Sequence, residues 1–202
     1  MFRPVTLAFL SALALARAAA GDVVFKLTDQ KGAPVADAVV SLVPLEIVQQ
    51  GKEYLPLVTP LVVGTTVSFL NRDVVEHQVY SLSDAKKFEL PLYKPGKANA
   101  VVFDRPGVVV VGCNIHDWML AYVVVLDTPL FAKTAAAGTA TIADAAPGRY
   151  RAEVWHPRLA KLETRELTLA SGAPAAELEF ALALKPDRRI RRAPDTAAGG
   201  YK

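Results

Sequence analysis

Short apolar runs separated by turn residues dominate the chain. Val-rich segments alternate with polar positions and are bounded by Gly, Pro, Asn and Asp, a pattern that predicts β-strands. Helical periodicity is not sustained in any window. Strands are predicted at residues 23–27, 38–43, 65–69, 78–82, 100–103, 108–111, 122–126, 139–142, 150–154, 163–169 and 177–182. The pattern therefore predicts an all-β protein made of antiparallel β-sandwiches.

The N-terminal residues have the pattern of a secretory signal. Arg3 precedes an apolar stretch that ends in small residues up to Ala20. This arrangement predicts a signal peptide at residues 1–20 and a periplasmic mature protein, with an uncleaved anchor as the alternative. The apolar stretch is too short to span a bilayer. Since no other segment approaches that length, we expect no transmembrane segment.

Composition and charge narrow the possible partners. The chain has 202 residues and is 52% hydrophobic, enough for more than one small core. Its net charge of +3 comes from its basic ends, so the body at 21–184 is mildly acidic. Residues 185–202 predict a disordered basic tail, which could contact an acidic partner or an anionic membrane face. No basic stripe with interleaved aromatic residues is present, so nucleic acid is not an expected partner.

The candidate chemistry is concentrated in one short segment between two apolar runs. It contains the single cysteine, Cys113, followed by His116 and Met119 at the spacing Cys-x2-His-x2-Met. A lone cysteine is more often a small buried hydrophobe. In an exported protein, however, a free thiol is exposed to oxidation, and a thiolate, an imidazole and a thioether together are a donor set that suits copper.

A second segment carries the resemblance to a known family. Asn71, His77 and Val79 follow the spacing Asn-x5-His-x-Val. Together with the Cys-x2-His-x2-Met loop, this resembles the cupredoxins, the type 1 blue copper proteins of the amicyanin and plastocyanin type. The likeness is greatest to periplasmic methylamine utilisation-type cupredoxin-like proteins. It implies a Greek-key β-sandwich at residues 46–127 holding one type 1 copper ion. The implied ligands are His77, Cys113, His116 and Met119.

The same resemblance implies roles around the ligands. Asn71 would tie the two ligand loops together, and the backbone N–H of Gln78 would donate to the Cys113 sulfur. Ile115 stands where amicyanin-type loops have proline and so keeps a second N–H for that sulfur, which predicts a higher reduction potential. Ile115, Trp118 and Leu120 would form an apolar docking patch. The alternative is that Trp118 packs inward.

The segments that flank this module resemble a different family. Residues 29–40 and 134–150 resemble the two halves of carboxypeptidase-regulatory-like, prealbumin-type domains. We therefore predict a second, discontinuous β-sandwich formed by 22–45 with 128–184. The alternative is that 22–45 supplies the first strands of the cupredoxin module. His156 lies in this second module without a cysteine or carboxylate cluster, which favours a structural or surface role.

The predicted function is one-electron transfer between redox partners such as a dehydrogenase, an oxidase or a cytochrome. One alternative is a copper-binding accessory protein that assists assembly of a periplasmic redox enzyme. Another is a prealbumin-like binding module with a vestigial copper site. No catalytic grouping of Ser, His and Asp or of paired carboxylates is visible, so the chain is not expected to be an enzyme.

Overall fold

The computed structural model describes residues 45–172 and 174–187, and all the regular secondary structure in this part of the chain is β-strand. The all-β prediction is therefore confirmed for this part of the chain. Here no helix is long and apolar enough to cross a membrane. The predicted signal peptide, the strands at 23–27 and 38–43, and the tail beyond residue 187 lie outside the described residues.

Nine strands form two sheets that face each other across one hydrophobic core. The first sheet has the order β2-β1-β4-β7, and the second has the order β3-β9-β8-β5-β6. The strands are β1 (Leu45–Gln50), β2 (Glu53–Leu55), β3 (Val58–Val62), β4 (Thr65–Asn71), β5 (Tyr80–Ser83), β6 (Lys86–Glu89), β7 (Ala98–Phe103), β8 (Gly107–Gly112) and β9 (Leu120–Leu126).

The two sheets are mixed, whereas the alternating pattern predicted purely antiparallel ones. β1 runs parallel to β4, and β3 runs parallel to β9. The chain passes from the first sheet to the second between β2 and β3, and this crossover allows parallel neighbours that a simple hairpin cannot give. β3 contains Pro60, which cannot donate to a ladder, and β3 accordingly lies at a sheet edge.

The core is built from the inward-facing residues of both sheets. Val109 and Val111 of β8 alternate with more exposed positions, as a half-buried strand requires. The Phe88 ring bridges Phe69 and Phe103, with both centroid separations 6.2 Å. Burial of these side chains is the main source of stability for a sandwich of this size. Cys113 and Met119 lie at the end of the same core.

The strand predictions succeed where apolar alternation is regular and fail elsewhere. Those at 65–69, 78–82, 100–103, 108–111, 122–126, 150–154 and 163–169 overlap observed strands. The sequence pattern missed β1, β2, β3 and β6, which are short or place polar residues such as Gln49 and Thr59 at buried positions. The strands predicted at 139–142 and 177–182 are wrong. Both segments are largely exposed and pair with no neighbouring strand in the described structure.

A separate two-stranded sheet follows the sandwich. β10 (Gly148–Val154) pairs antiparallel with β11 (Glu163–Leu169). Trp155, directly after β10, contacts the sandwich, and its ring centroid lies 5.6 Å from that of Tyr122. The module boundaries at 46–127, and the prealbumin-like sandwich formed by 22–45 and 128–184, stay predictions. Nearly all of 22–45 lies outside the described residues.

Candidate metal centre

His77 lies in the segment between β4 and β5 and is fully buried. Its backbone is paired with Tyr93, with the His77 N–H donating over 3.3 Å and the Tyr93 N–H donating back over 3.0 Å. This isolated bridge holds the histidine in a fixed position although the segment is not part of a regular strand. The imidazole is therefore presented by backbone structure rather than by a free loop.

Asp73 fixes the orientation of the His77 ring. Its Oδ2 lies 2.7 Å from His77 Nε2. The same carboxylate accepts backbone N–H groups from Gly51 at 2.6 Å and from Lys52 at 2.8 Å. Since a carboxylate only accepts, the Nε2 atom carries the proton. His77 Nδ1, the other ring nitrogen, faces His116, and a carboxylate on Nε2 is the arrangement typical of a metal-binding histidine.

The second segment, residues 113–119, connects β8 to β9 and carries Cys113 and His116. Its turn is closed by the Met119 N–H, which donates to the His116 carbonyl over 2.9 Å. His116 Nδ1 lies 3.1 Å from His77 Nδ1 and 3.8 Å from Cys113 Sγ. One donor atom from each of His77, Cys113 and His116 lies within 4.8 Å of the others. The structure therefore brings these three side chains together.

The Cys113 thiol is held in an environment that favours the thiolate. Burial alone raises its pKa, but a hydrogen bond from His77 and backbone N–H donations from Gln78, Ile115 and His116 lower it by more, so the net pKa is below its ordinary value. Donors that converge on the sulfur stabilise its negative charge. The thiolate is the form that binds metals.

The two histidines are shifted in opposite directions. Burial lowers the pKa of His77, but hydrogen bonds to Cys113 and Asp73 outweigh this and raise it overall. The pKa of His116 is lowered by burial and then by the nearby His77 and Lys52. Two protonated imidazoles cannot share so short a contact, so the lone pair of His116 is the more readily available.

Met119 is buried in the core immediately before β9, with 2% of its surface exposed. It lines a shallow surface groove together with Cys113, Gly112 and Leu120. The thioether therefore lies at the same end of the sandwich as the cysteine. Both a packing role and a role at the site agree with this position, and they require different experiments.

Asn71 braces its own segment rather than the second loop. Its side-chain N–H groups donate to the carbonyls of Val75 at 2.9 Å and Tyr93 at 3.2 Å, and its Oδ1 accepts the Asp73 N–H at 2.9 Å. The resemblance implied that this residue ties the two ligand loops together. Both side-chain N–H groups instead donate within residues 71–77 and to Tyr93.

The residues predicted to form a docking patch are placed differently from one another. Ile115 is 49% exposed, and His116 is partly exposed beside it. Trp118 packs against the core, and its Nε1–H donates to the Lys52 carbonyl over 3.0 Å. Its ring also contacts His116, with centroids 5.4 Å apart. Leu120 is half-buried and lines the groove beside Cys113. Trp118 thus takes the inward position that was the alternative expectation.

His156, the remaining histidine, is not part of this cluster in the described structure. Its Nδ1 accepts the backbone N–H of Arg158 over 3.1 Å. Sequence reasoning missed Asp73 and Tyr54, both of which contact the cluster or its neighbours. Asp73 had a signal, because a carboxylate lay four residues before a candidate metal-binding histidine. Tyr54 had none, since its contacts arise only from the tertiary fold.

The chain is similar to solved structures of other proteins. No protein-family model matches the chain, and no curated protein matches it. A copper-containing nitrite reductase (NirK) from Thermus scotoductus SA-01 is 25% identical, with a TM-score of 0.41 over 48% of this chain and 25% of that chain. A purple cupredoxin from Nitrosopumilus maritimus is 29% identical, with a TM-score of 0.37 over 41% of this chain and 99% of that one. A Cu(I) amicyanin variant is 22% identical, with a TM-score of 0.40 over 43% and 86% of the two chains.

Proposed function

We propose that this chain binds one copper ion through His77, Cys113 and His116, with Met119 as a weak fourth donor, and that it transfers single electrons. The observation that carries the proposal is the convergence of the three side chains, with the two Nδ1 atoms 3.1 Å apart. Neither a hydrophobic core nor a surface loop needs two imidazoles and a thiol at such a distance. A metal ion accounts for all three.

The donor chemistry fits copper. Two imidazole nitrogens, one thiolate and a thioether form the set that is typical of blue-copper sites. When bound, copper would supply the one-electron Cu(II)/Cu(I) couple. His77 binds Asp73 through Nε2, which leaves Nδ1 as the ring nitrogen that faces His116. Cys113 has a pKa below its ordinary value because His77 and backbone N–H groups outweigh the effect of burial. Cys113 therefore favours the thiolate, and His77 presents the ring nitrogen that would bind the metal.

The chain's own residues would favour electron transfer over metal exchange. His77 and Cys113 are buried, with 0% and 3% of their surfaces exposed. Both are held by backbone hydrogen bonds at the end of a packed β-sandwich, which limits their movement. A site with little freedom to rearrange suits a change of one electron. A protein that delivers copper to an enzyme would need more accessible ligands.

The partners and location follow from the same proposal. His116 and Ile115 are the accessible part of the site, so a redox protein would approach the cluster from this side. Periplasmic location rests on the sequence of residues 1–20, as does export. A periplasmic dehydrogenase, oxidase or cytochrome is the class of partner that agrees with both.

The deciding experiment is the visible spectrum of the purified chain with one equivalent of Cu(II). We expect an intense thiolate-to-copper charge-transfer band that is lost in Cys113→Ser and in His77→Ala. His156→Ala is the matched control, because it removes a histidine outside the cluster and should keep the band. A colourless copper complex, or a band that survives Cys113→Ser, would show that the proposed ligands are wrong.

A further inference from the structure

The Tyr54 hydroxyl joins the two segments that carry the candidate ligands. It lies 2.6 Å from the Gln78 carbonyl and 3.0 Å from the Gly112 carbonyl. Gln78 directly follows His77, and Gly112 directly precedes Cys113. Tyr80 of β5 pairs with Gly112, the last residue of β8. The phenol therefore links the segment just before β5 to the end of β8, next to both ligand-bearing segments.

This contact is made from the opposite sheet. Tyr54 belongs to β2, the edge strand of the first sheet, whereas Gly112 belongs to the second. Only 2% of the tyrosine is exposed, so water cannot readily replace its hydroxyl. Burial raises the pKa of the phenol above its ordinary value, and the group stays a hydrogen-bond donor. Two carbonyls that share one buried donor are held at a defined separation.

The turn that precedes Tyr54 reaches the two histidines by other contacts. The N–H groups of Gly51 and Lys52 hold Asp73, which in turn holds His77 Nε2. The Lys52 carbonyl accepts the Trp118 N–H, and the Trp118 ring lies against His116. Gly51 and Lys52 have φ values of 63° and 55°. This left-handed pair is typical of a tight two-residue hairpin turn and aims its backbone groups at both partners.

We propose that the β1–β2 hairpin, residues 45–55, is a positioning element that sets the distance between the His77 and Cys113 segments, with the Tyr54 hydroxyl as its central contact. The proposal deepens the function proposed above and rests on it for its effect on copper. Its effect on the separation of the segments is a property of the chain alone. The hairpin thus supplies the link between the two loops that had been expected of Asn71.

The metal-free chain offers a direct test, because Cys113 must be uncovered before an alkylating reagent can reach it. We expect Tyr54→Phe to raise the rate of Cys113 alkylation by iodoacetamide by about fivefold, as the loss of one buried hydrogen bond implies. Val125→Ala is the control, because it lowers the stability of the same core at a distance from the candidate site. Val125 is buried and pairs with Gly107, at the end of β8 opposite Gly112. Loss of global stability would raise both rates alike, whereas loss of positioning raises only the first.

The copper-loaded chain separates this proposal from the proposed function. We expect Tyr54→Phe to shift the charge-transfer band and lower the reduction potential, because the Gln78 N–H then holds the Cys113 sulfur less firmly. Val125→Ala should leave both unchanged. A wild-type chain without the band would defeat the copper proposal, while the alkylation rates would still decide the role of the hairpin. A normal band with equal alkylation rates in wild type and Tyr54→Phe would overturn the hairpin proposal alone.

Discussion

His77 Nε2 lies 2.7 Å from the Asp73 carboxylate, and this carboxylate also accepts two N–H groups from the turn at Gly51 and Lys52. The pair lies within one short segment, four residues apart, yet it joins that segment to a different part of the fold. Asp73 thus both orients the imidazole and anchors it to the turn at Gly51 and Lys52.

Replacing Asp73 with asparagine should weaken copper binding. The amide still fills the space, but it binds the ring less strongly and does not hold the Nε2 proton as firmly. Loss of such an outer contact to a metal-binding histidine lowers affinity by about 10- to 100-fold. The affinity can be measured by competition with a chromophoric chelator. Asp104→Asn is the control, since Asp104 is a surface carboxylate paired with Lys86, and it should bind copper as the wild type does.

The Asp73–His77 pair should also make the stability of the metal-free protein depend on pH. Although partial burial opposes the shift, hydrogen bonds from His77, Lys52 and Gly51 lower the pKa of Asp73. The contribution of Asp73 to the free energy of unfolding is therefore present above about pH 4 and is lost as the pH falls through the folded-state pKa of Asp73. The pKa of His77 is raised, so its contribution is present below about pH 6.5 and is lost as the pH rises through its own folded-state value.

Asp73→Asn should accordingly reduce the free energy of unfolding most between about pH 4 and about pH 6.5, by about 2 kcal/mol near pH 5. Urea unfolding of the metal-free wild type and variant across this range is the measurement. The difference between the two proteins should shrink at acidic pH. A difference that is constant with pH would mean that Asp73 acts through packing rather than through its charge.

The sequence predicted those parts of the site that depend on local spacing. His116 and Met119 follow Cys113 at short intervals, and the structure brings His116 and Cys113 to one cluster with His77. Tyr54 was not predictable in this way. It contacts Gln78 and Gly112, which lie 24 and 58 residues further along the chain, so only the packing of one sheet on the other reveals the contact.

The same reasoning explains the strands that were missed. β1 contains Gln49, which is fully buried, and β3 contains Pro60. Neither residue fits the alternation of apolar and polar positions from which strands are predicted. Their place is set instead by parallel pairing with β4 and β9. Such pairing has no local signal, because the partner is far away in the sequence.

The N–H of Ile115 should raise the reduction potential of the copper form. It is one of the donors that lower the pKa of Cys113 against the effect of burial. A hydrogen bond to the thiolate reduces its donation to Cu(II) and favours the reduced state. Ile115→Pro removes this donor and should lower the potential by tens of millivolts, as measured by redox titration. Ile115→Val keeps the N–H and should retain the wild-type value, so an equal change in both variants would contradict this explanation.

Met119→Leu should separate the two roles that its position allows. Because leucine conserves the volume of this buried side chain, the metal-free protein should lose less than about 1.5 kcal/mol of unfolding free energy. If the thioether would bind the copper, its removal should destabilise Cu(II) and raise the reduction potential, since a weak thioether ligand tunes such sites. Urea unfolding and redox titration of the same variant give both quantities. A variant whose potential matches that of the wild type would assign Met119 to the core alone and reduce the proposed ligand set to His77, Cys113 and His116.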